Sequence, residues 1–205
     1  MMSHRFLSGA FSLTPVLTAV LFIALAVSQA WPFWQQAFRS DHSSISWLSS
    51  AQLWAIAFVS LLLIKEQKLP TFWGGWFFLA MLLMAMDEQF QFHEQWKYGC
   101  DEWVSWCDSA WAKELPMLSI AVLGSLSVLW LYHHCGNNFA RLLLVISIVF
   151  GAAAIIIDLA SVPHFIGIFE EGFEVLAEAF WLSYLFALTA KGDYRGVIQH
   201  ESTHH

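Results

Sequence analysis

FWGGWFFLAMLLMA (residues 72–85) carries no charge, and the chain then runs straight into MDEQFQFHEQW (86–96), with two adjacent acids, a histidine and a third acid. The first stretch reads as a helix suited to lipid. The second carries polarity that lipid does not tolerate without compensation. Fold class and candidate site both follow from this junction.

The rest of the chain supports the lipid reading. Of 205 residues, 58% are hydrophobic and only 12% are charged, whereas a soluble domain carries about a quarter charged residues. A window of about 20 residues, the length that crosses the hydrocarbon layer, finds spans at approximately 11–30, 47–64, 71–95, 116–133, 139–160 and 171–190. Short polar breaks separate them: Gln35 to Ser46, KEQKLP, the acidic loop Lys97 to Glu114, HHCGNN and a turn at Pro163. Because a spanning segment must satisfy its backbone hydrogen bonds internally, the predicted fold is all-α. It is a polytopic transmembrane bundle of about six spans, forming a single integral-membrane domain over 1–205. Arg5, the apolar run to Val27 and the ending Ser28-Gln29-Ala30 also fit a secretory signal, but the run is long for a signal core and favours a retained helix.

Basic residues set the orientation. With the N-terminus inside, Arg5, Lys65, Lys68, Arg141, Lys191 and Arg195 fall on the cytoplasmic side, against Arg39, Lys97 and Lys113 outside. Both termini are then cytoplasmic, in a membrane of the bacterial inner type. Cys100 and Cys107 share the outer loop segment CDEWVSWC, where oxidising conditions allow a disulfide. That bridge would pin Trp96, Trp103, Trp106 and Trp111 near the membrane surface.

At about 100° per residue, a regular helix through residue 95 puts Asp87, Gln91 and Glu94 on one stripe, with Glu88 on its shoulder and His93 pointing elsewhere. In IFEEGFEVLAEAFW (168–181), Glu170, Glu171, Glu174 and Glu178 fall within about 100° of each other. AAAIIIDLASVPHF (152–165) adds Asp158 and His164 at the same membrane face. An embedded acid costs about 2.5 to 3.5 kcal/mol even on the lenient insertion scale, and the spans hold basic residues only at their ends. Protons, water or a bound cation must compensate.

Carboxylates with one or two imidazoles suit iron, manganese or zinc, and helical bundles commonly hold such ions. The candidate ligands of a divalent metal ion are Asp87, Glu88, His93, Glu94, Asp158, His164, Glu171 and Glu174, with Glu88 and Glu174 as the catalytic pair. The Glu-x-x-His spacing of ferritin-like di-iron proteins is absent; Glu171-x-x-Glu174 stands in its place. The bland reading makes Glu170, Glu171, Glu94 and Asp101 or Glu102 solvated residues at the membrane edge, the Glu170–Glu171 pair favouring the dipole at the start of its helix.

The leading expectation is a metal-dependent membrane enzyme, a hydrolase or oxidoreductase, acting on a lipid or other hydrophobic small molecule. The alternatives are a proton- or cation-coupled transporter or channel, and a nonenzymatic ion-binding accessory or sensor protein. Beyond Asp87 and Glu178 the inner halves of the spans are nearly free of ionisable groups, which favours a pocket open to one side. Membrane lipid is the implied partner, and the scarcity of basic residues excludes nucleic acid. No nucleophile elbow, P-loop or dinucleotide fingerprint occurs, and a heme between His93 and His164 lacks an attachment motif. Gly74-Gly75 and Gly151-Ala152 read as points of close helix packing.

The MDE at a helix end (86–88) resembles the membrane-embedded hydrolases related to alkaline ceramidases. That resemblance implies an aspartate and several histidines around a zinc near a membrane face. Their histidine before the acidic motif and the paired histidines of their last helix have no counterpart here, where the last span carries acids. No site residue is carried over.

Overall fold

The computed structural model describes residues 10–38, 43–104, 106–107, 109–159 and 164–190. All regular structure among them is helical: α1 (Thr14–Ala30), a short 3-10 turn (Trp34–Ala37), α2 (Ser44–Lys65), α3 (Thr71–Phe90), α4 (Phe92–Trp103), α5 (Ala110–Lys113), α6 (Leu115–His134), α7 (Asn138–Leu159) and α8 (His164–Ala190).

Local chemistry sets the ends of these helices. Pro15 and Pro116 occupy first-turn positions, where a missing N–H costs nothing. Ser43 caps α2, its Oγ accepting from the Ser46 amide at 3.1 Å. The turn after α2 passes through Gln67 at φ 55° and reaches Pro70. A Cβ at Gly74 would run into the Ile64 side chain, so the close return of α3 along α2 requires glycine there. Gly75, by contrast, faces open space, and Gly151 makes only ordinary contact with Ala177.

Side-chain contacts fix the direction of each long helix. Ser46 bonds Glu171, Ser49 bonds Glu178, and Lys68 Nζ donates to the Thr189 carbonyl at 2.6 Å, so α2 and α8 run parallel. Phe11, just ahead of α1, stacks on Phe186 near the end of α8, making α1 antiparallel to α8. Trp73 stacks on Trp130 at 4.4 Å, and Trp76 Nε1 donates to Ser127 Oγ at 2.9 Å, so α3 and α6 are antiparallel. Ser147 donates to the Ala177 carbonyl, and Phe150 stacks on Phe180, seating α7 along α8. Consecutive long helices therefore alternate, and the ends of α1, α3 and α7 meet the starts of α2, α6 and α8 at one end of the bundle.

That end wears a cap made of α4, α5 and their connections. The cap has a small core of its own: Cys100, Cys107 and Ala112 are fully buried, with Trp96, Val104 and Leu115 packed on them. Cys100 and Cys107 form the expected disulfide, and Trp96 Nε1 donates to the Ala112 carbonyl at 2.9 Å. The main core lies toward the opposite end, around Ile56, Leu63, Phe77, Leu131, Leu144 and Leu185.

Four helices among the described residues are long and apolar enough to cross a membrane: Ser44–Lys65, Leu115–His134, Asn138–Leu159 and Ile168–Thr189 within α8. The chain is all-α with the apolar helices of a membrane protein.

Two sequence expectations need correction. The stretch 71–95 is not one helix, because α3 ends at Phe90 and the chain reverses its twist at Gln91, with φ 54° and ψ 43°. Asp87 holds the new direction by accepting from the His93 amide through Oδ1 at 2.9 Å, which supplies the first turn of α4 with an acceptor. The region Lys97 to Glu114 is likewise not a plain loop, since α4 and α5 occupy much of it.

Candidate functional site

The acids at the capped end fall into two layers. In the upper layer they meet cations. His93 Nδ1 lies 2.6 Å from Asp87 Oδ2, so the imidazole that a continuous helix would point elsewhere is turned back onto Asp87 by the break at Gln91. The Asp87 carboxylate holds the His93 imidazolium above the ordinary histidine range, against the opposing effect of burial, and Glu94 and Glu88 add to it. Lys97 Nζ reaches Asp158 Oδ1 at 3.0 Å and Glu114 Oε1 at 3.3 Å. Burial works against its charge, but the two carboxylates outweigh it and raise the Lys97 pKa. One lysine thus joins the cap to the start of α6 and the end of α7. At the surface Lys113 pairs with exposed Asp101 at 3.0 Å, lowering the Asp101 pKa.

The lower layer is different. Glu88 of α3 is close enough to Glu171 and Glu174 of α8 to interact electrostatically, and Glu174 also feels Glu178 and Glu170. Glu171 and Glu178 face the start of α2, where hydroxyls take the place of cations. Ser46 Oγ donates to Glu171 Oε2 at 3.3 Å, and Ser49 Oγ donates to Glu178 Oε1 at 2.8 Å. Glu178 is partly buried as a whole, yet its Oε2 is shut off from solvent and has no hydrogen-bond partner. Among the described residues, no ion pair involves Glu88, Glu174 or Glu178.

Below Glu178 the seam closes. Leu182 and Leu185 follow one and two turns on along the same face of α8, and with Ile56 and Leu63 of α2 they belong to one buried cluster. Phe77 and Trp181 close the α3 side, their rings edge to face at 5.8 Å. On the side away from the cap, the acid layer therefore ends on apolar packing.

The candidate site residues separate accordingly. Glu88, Glu171 and Glu174 lie within electrostatic reach of one another, and so does Glu178. Asp87 and His93 form their own pair, Glu94 lies within electrostatic reach of His93 and Glu88, and Asp158 belongs to Lys97. His164 begins α8, but its side chain lies outside the described residues. Among the described residues, no group of three His, Cys, Asp or Glu side chains is arranged to hold a metal ion.

Ser46, Ser49, Lys97 and Glu114 were not singled out from the sequence. The serines had a signal: Ser43, Ser46, Ser49 and Ser50 recur at helical spacing in an otherwise apolar segment. Ser50 is turned the other way, donating to the Ala85 carbonyl of α3 at 3.2 Å.

Residues 10–188 match the family described as "Domain of unknown function (DUF8692)", from just ahead of α1 almost to the end of α8. No curated protein and no solved structure matches the chain.

Proposed function

Because the chain belongs to the DUF8692 family, a domain of unknown function, we propose its role from its own chemistry: a multi-pass membrane protein that binds protons in a one-sided glutamate pocket. The carrying observation is the Glu178 carboxyl, with Oε1 held by Ser49 and Oε2 buried without a partner. As a carboxylate, Oε2 would keep charge with no donor to stabilise it, which is costly in an apolar setting. A proton removes that charge and leaves a neutral hydroxyl, whose lack of a partner costs far less than that of a buried charge.

A metal is more demanding. It requires three or more converging donors, and the donors around Glu178 are oxygens alone, which suit hard cations better than zinc or iron. Glu88 and Glu171 lie nearest the cap and Glu174 and Glu178 progressively deeper, so protons enter past the upper glutamates and stop above the leucine layer. This supports an ion-binding sensor or accessory role over a through-pathway.

In this reading α1, α2, α3, α6, α7 and α8 are six spans of one domain in an inner-type membrane. The cap is outside and both termini are cytoplasmic, in line with the bias of basic residues.

Infrared difference spectra of the protein in vesicles, taken across a pH step, test the proposal. A protonated-carboxyl band that vanishes in Glu178→Gln and survives in Glu178→Asp is the expected result. A spectrum unchanged by both Glu174→Gln and Glu178→Gln overturns it. If Mn2+, Fe2+ or Zn2+ raises the melting temperature of the parent protein but not of Glu174→Gln, a metal centre replaces the proton site.

A further inference from the structure

The cap buries a compact core, yet its outer surface is far more aromatic than that core requires. Tyr98 is 75% exposed and Trp111 63%, and Phe92 and Trp106 are more than half exposed. Phe90 and Phe92 flank the break at Gln91 and stack on each other at 5.6 Å, both facing outward. In water this surface would be a liability. At a bilayer boundary it is favoured, because aromatic rings, above all those of Trp and Tyr, concentrate at the headgroup level.

The rest of the bundle supplies the level. At the same end Trp31, after α1, and Trp47, in the first turn of α2, are also well exposed, so exposed rings at this level extend from the cap onto α1 and α2. Rings gathered at one level along the helix axes are what a bilayer boundary favours. At the opposite end of α3, Phe72 is 74% exposed. Phe72 and Phe90 are eighteen residues apart on one helix, about 27 Å at 1.5 Å per residue, against a hydrocarbon thickness of about 30 Å. Between them Leu79 and Leu83 face outward.

We propose that the disulfide-closed cap lies in the headgroup layer of the bilayer, with lipid as its occupant and Phe92, Tyr98, Trp106 and Trp111 as its anchors. This rests on the spanning part of the proposed function and not on proton binding. It puts Glu88 and Glu171 at the membrane boundary, because Glu88 is half a turn before Phe90 and Glu171 bonds Ser46, the neighbour of Trp47. Glu178, two turns further along α8, lies about 10 Å deeper.

Single nitroxide labels test the depth in vesicles of phosphatidylcholine and phosphatidylglycerol. Each is attached at a cysteine replacing Phe92, Tyr98, Leu83 or Val149, in a Cys135→Ser background that keeps the disulfide. All four parent side chains are exposed, so the substitutions spare the core. Collisions with oxygen, which partitions into hydrocarbon, and with a water-soluble nickel complex report the position. The expected result is oxygen excess at Leu83 and Val149 and comparable access of both reagents at Phe92 and Tyr98. Nickel access at Phe92 and Tyr98 equal to that of a free label in buffer, with Leu83 and Val149 still in hydrocarbon, overturns the headgroup position while leaving the spanning bundle intact. Exclusion of both reagents at Phe92 and Tyr98 identifies a protein cover and overturns it as well. Nickel access at Leu83 and Val149 is a separate failure, that of the membrane reading itself.

Discussion

Two layers of acids lie at the same end of the bundle, and they are stabilised by different means. In the upper layer Lys97 and His93 place positive charge against Asp158, Glu114 and Asp87. In the lower layer Ser46 and Ser49 offer Glu171 and Glu178 neutral hydroxyls. A cation offsets the charge itself, whereas a hydroxyl replaces only one of the hydrogen bonds that water would make. Acids of the first kind hold the cap in place. Acids of the second kind remain available for chemistry, and substitutions should tell the two kinds apart.

The largest contrast is expected between Lys97→Met and Glu174→Gln. Removing Lys97 leaves Asp158 and Glu114 without their cation. Breaking a buried pair from one side costs about 3 to 5 kcal/mol; these side chains are a fifth to a quarter exposed, so a loss of about 2 kcal/mol is the discounted expectation. Adding Asp158→Asn should restore part of it. Glu174→Gln, which removes an acid that has no cation, should leave stability unchanged or raise it. Denaturant unfolding in mixed micelles measures both, and equal losses would erase the distinction between the layers.

Opening the disulfide comes next. With Cys100→Ser and Cys107→Ser the cap loses a short covalent loop, worth about 2 kcal/mol on the loop-entropy account. The loss should stay in the upper layer. The infrared band assigned to Glu178 is expected to persist, and its disappearance would mean that the lower layer depends on the cap for its shape.

Ser49→Ala sharpens the contrast from the other side. Without the hydroxyl both Glu178 oxygens lack a donor, and about 1 kcal/mol of stability should be lost. In a Glu178→Ala background the same change should cost measurably less, because the acceptor that Ser49 served is gone. A double-mutant cycle that shows no coupling would separate Ser49 from the function of Glu178.

How far the sequence revealed this arrangement depends on the kind of signal each part left. Long apolar runs are averages over many residues, so the helical rods and their alternation were legible, as was a cysteine pair in one loop. That Glu171, Glu174 and Glu178 share one face of α8 was legible because helical periodicity is a local property, whereas their approach to Glu88 of α3 is a long-range relation that periodicity does not carry. The break at Gln91 was not. A non-glycine residue with positive φ is locally unfavourable, and what holds it is the side chain of Asp87 reaching ahead to His93. Lys97 was hidden for a related reason, since its partners lie 17 and 61 residues away and only the folded cap brings them together. The serine stripe was visible but unread: in an apolar helix a hydroxyl at every turn is a weak hydropathy signal and a strong chemical one.

The smallest expected effect concerns the Asp87–His93 pair and its sign with pH. The folded pKa of His93 is raised by Asp87, so the folded state favours the protonated ring more than the unfolded chain does. Its contribution to stability is therefore fully present below the unfolded histidine value, about 6.5, and is lost as pH rises through the higher folded value. With the ring about a third exposed, a few tenths of a kcal/mol is the appropriate scale. The readout is the difference in unfolding free energy between the parent protein and His93→Gln from pH 5.5 to 8.5. The parent should hold its advantage at the acidic end and lose it toward the alkaline end, whereas an advantage that grows with pH would mean that His93 serves Asp87 as a neutral hydrogen-bond donor and that the upper layer is less strictly cationic than Lys97 makes it.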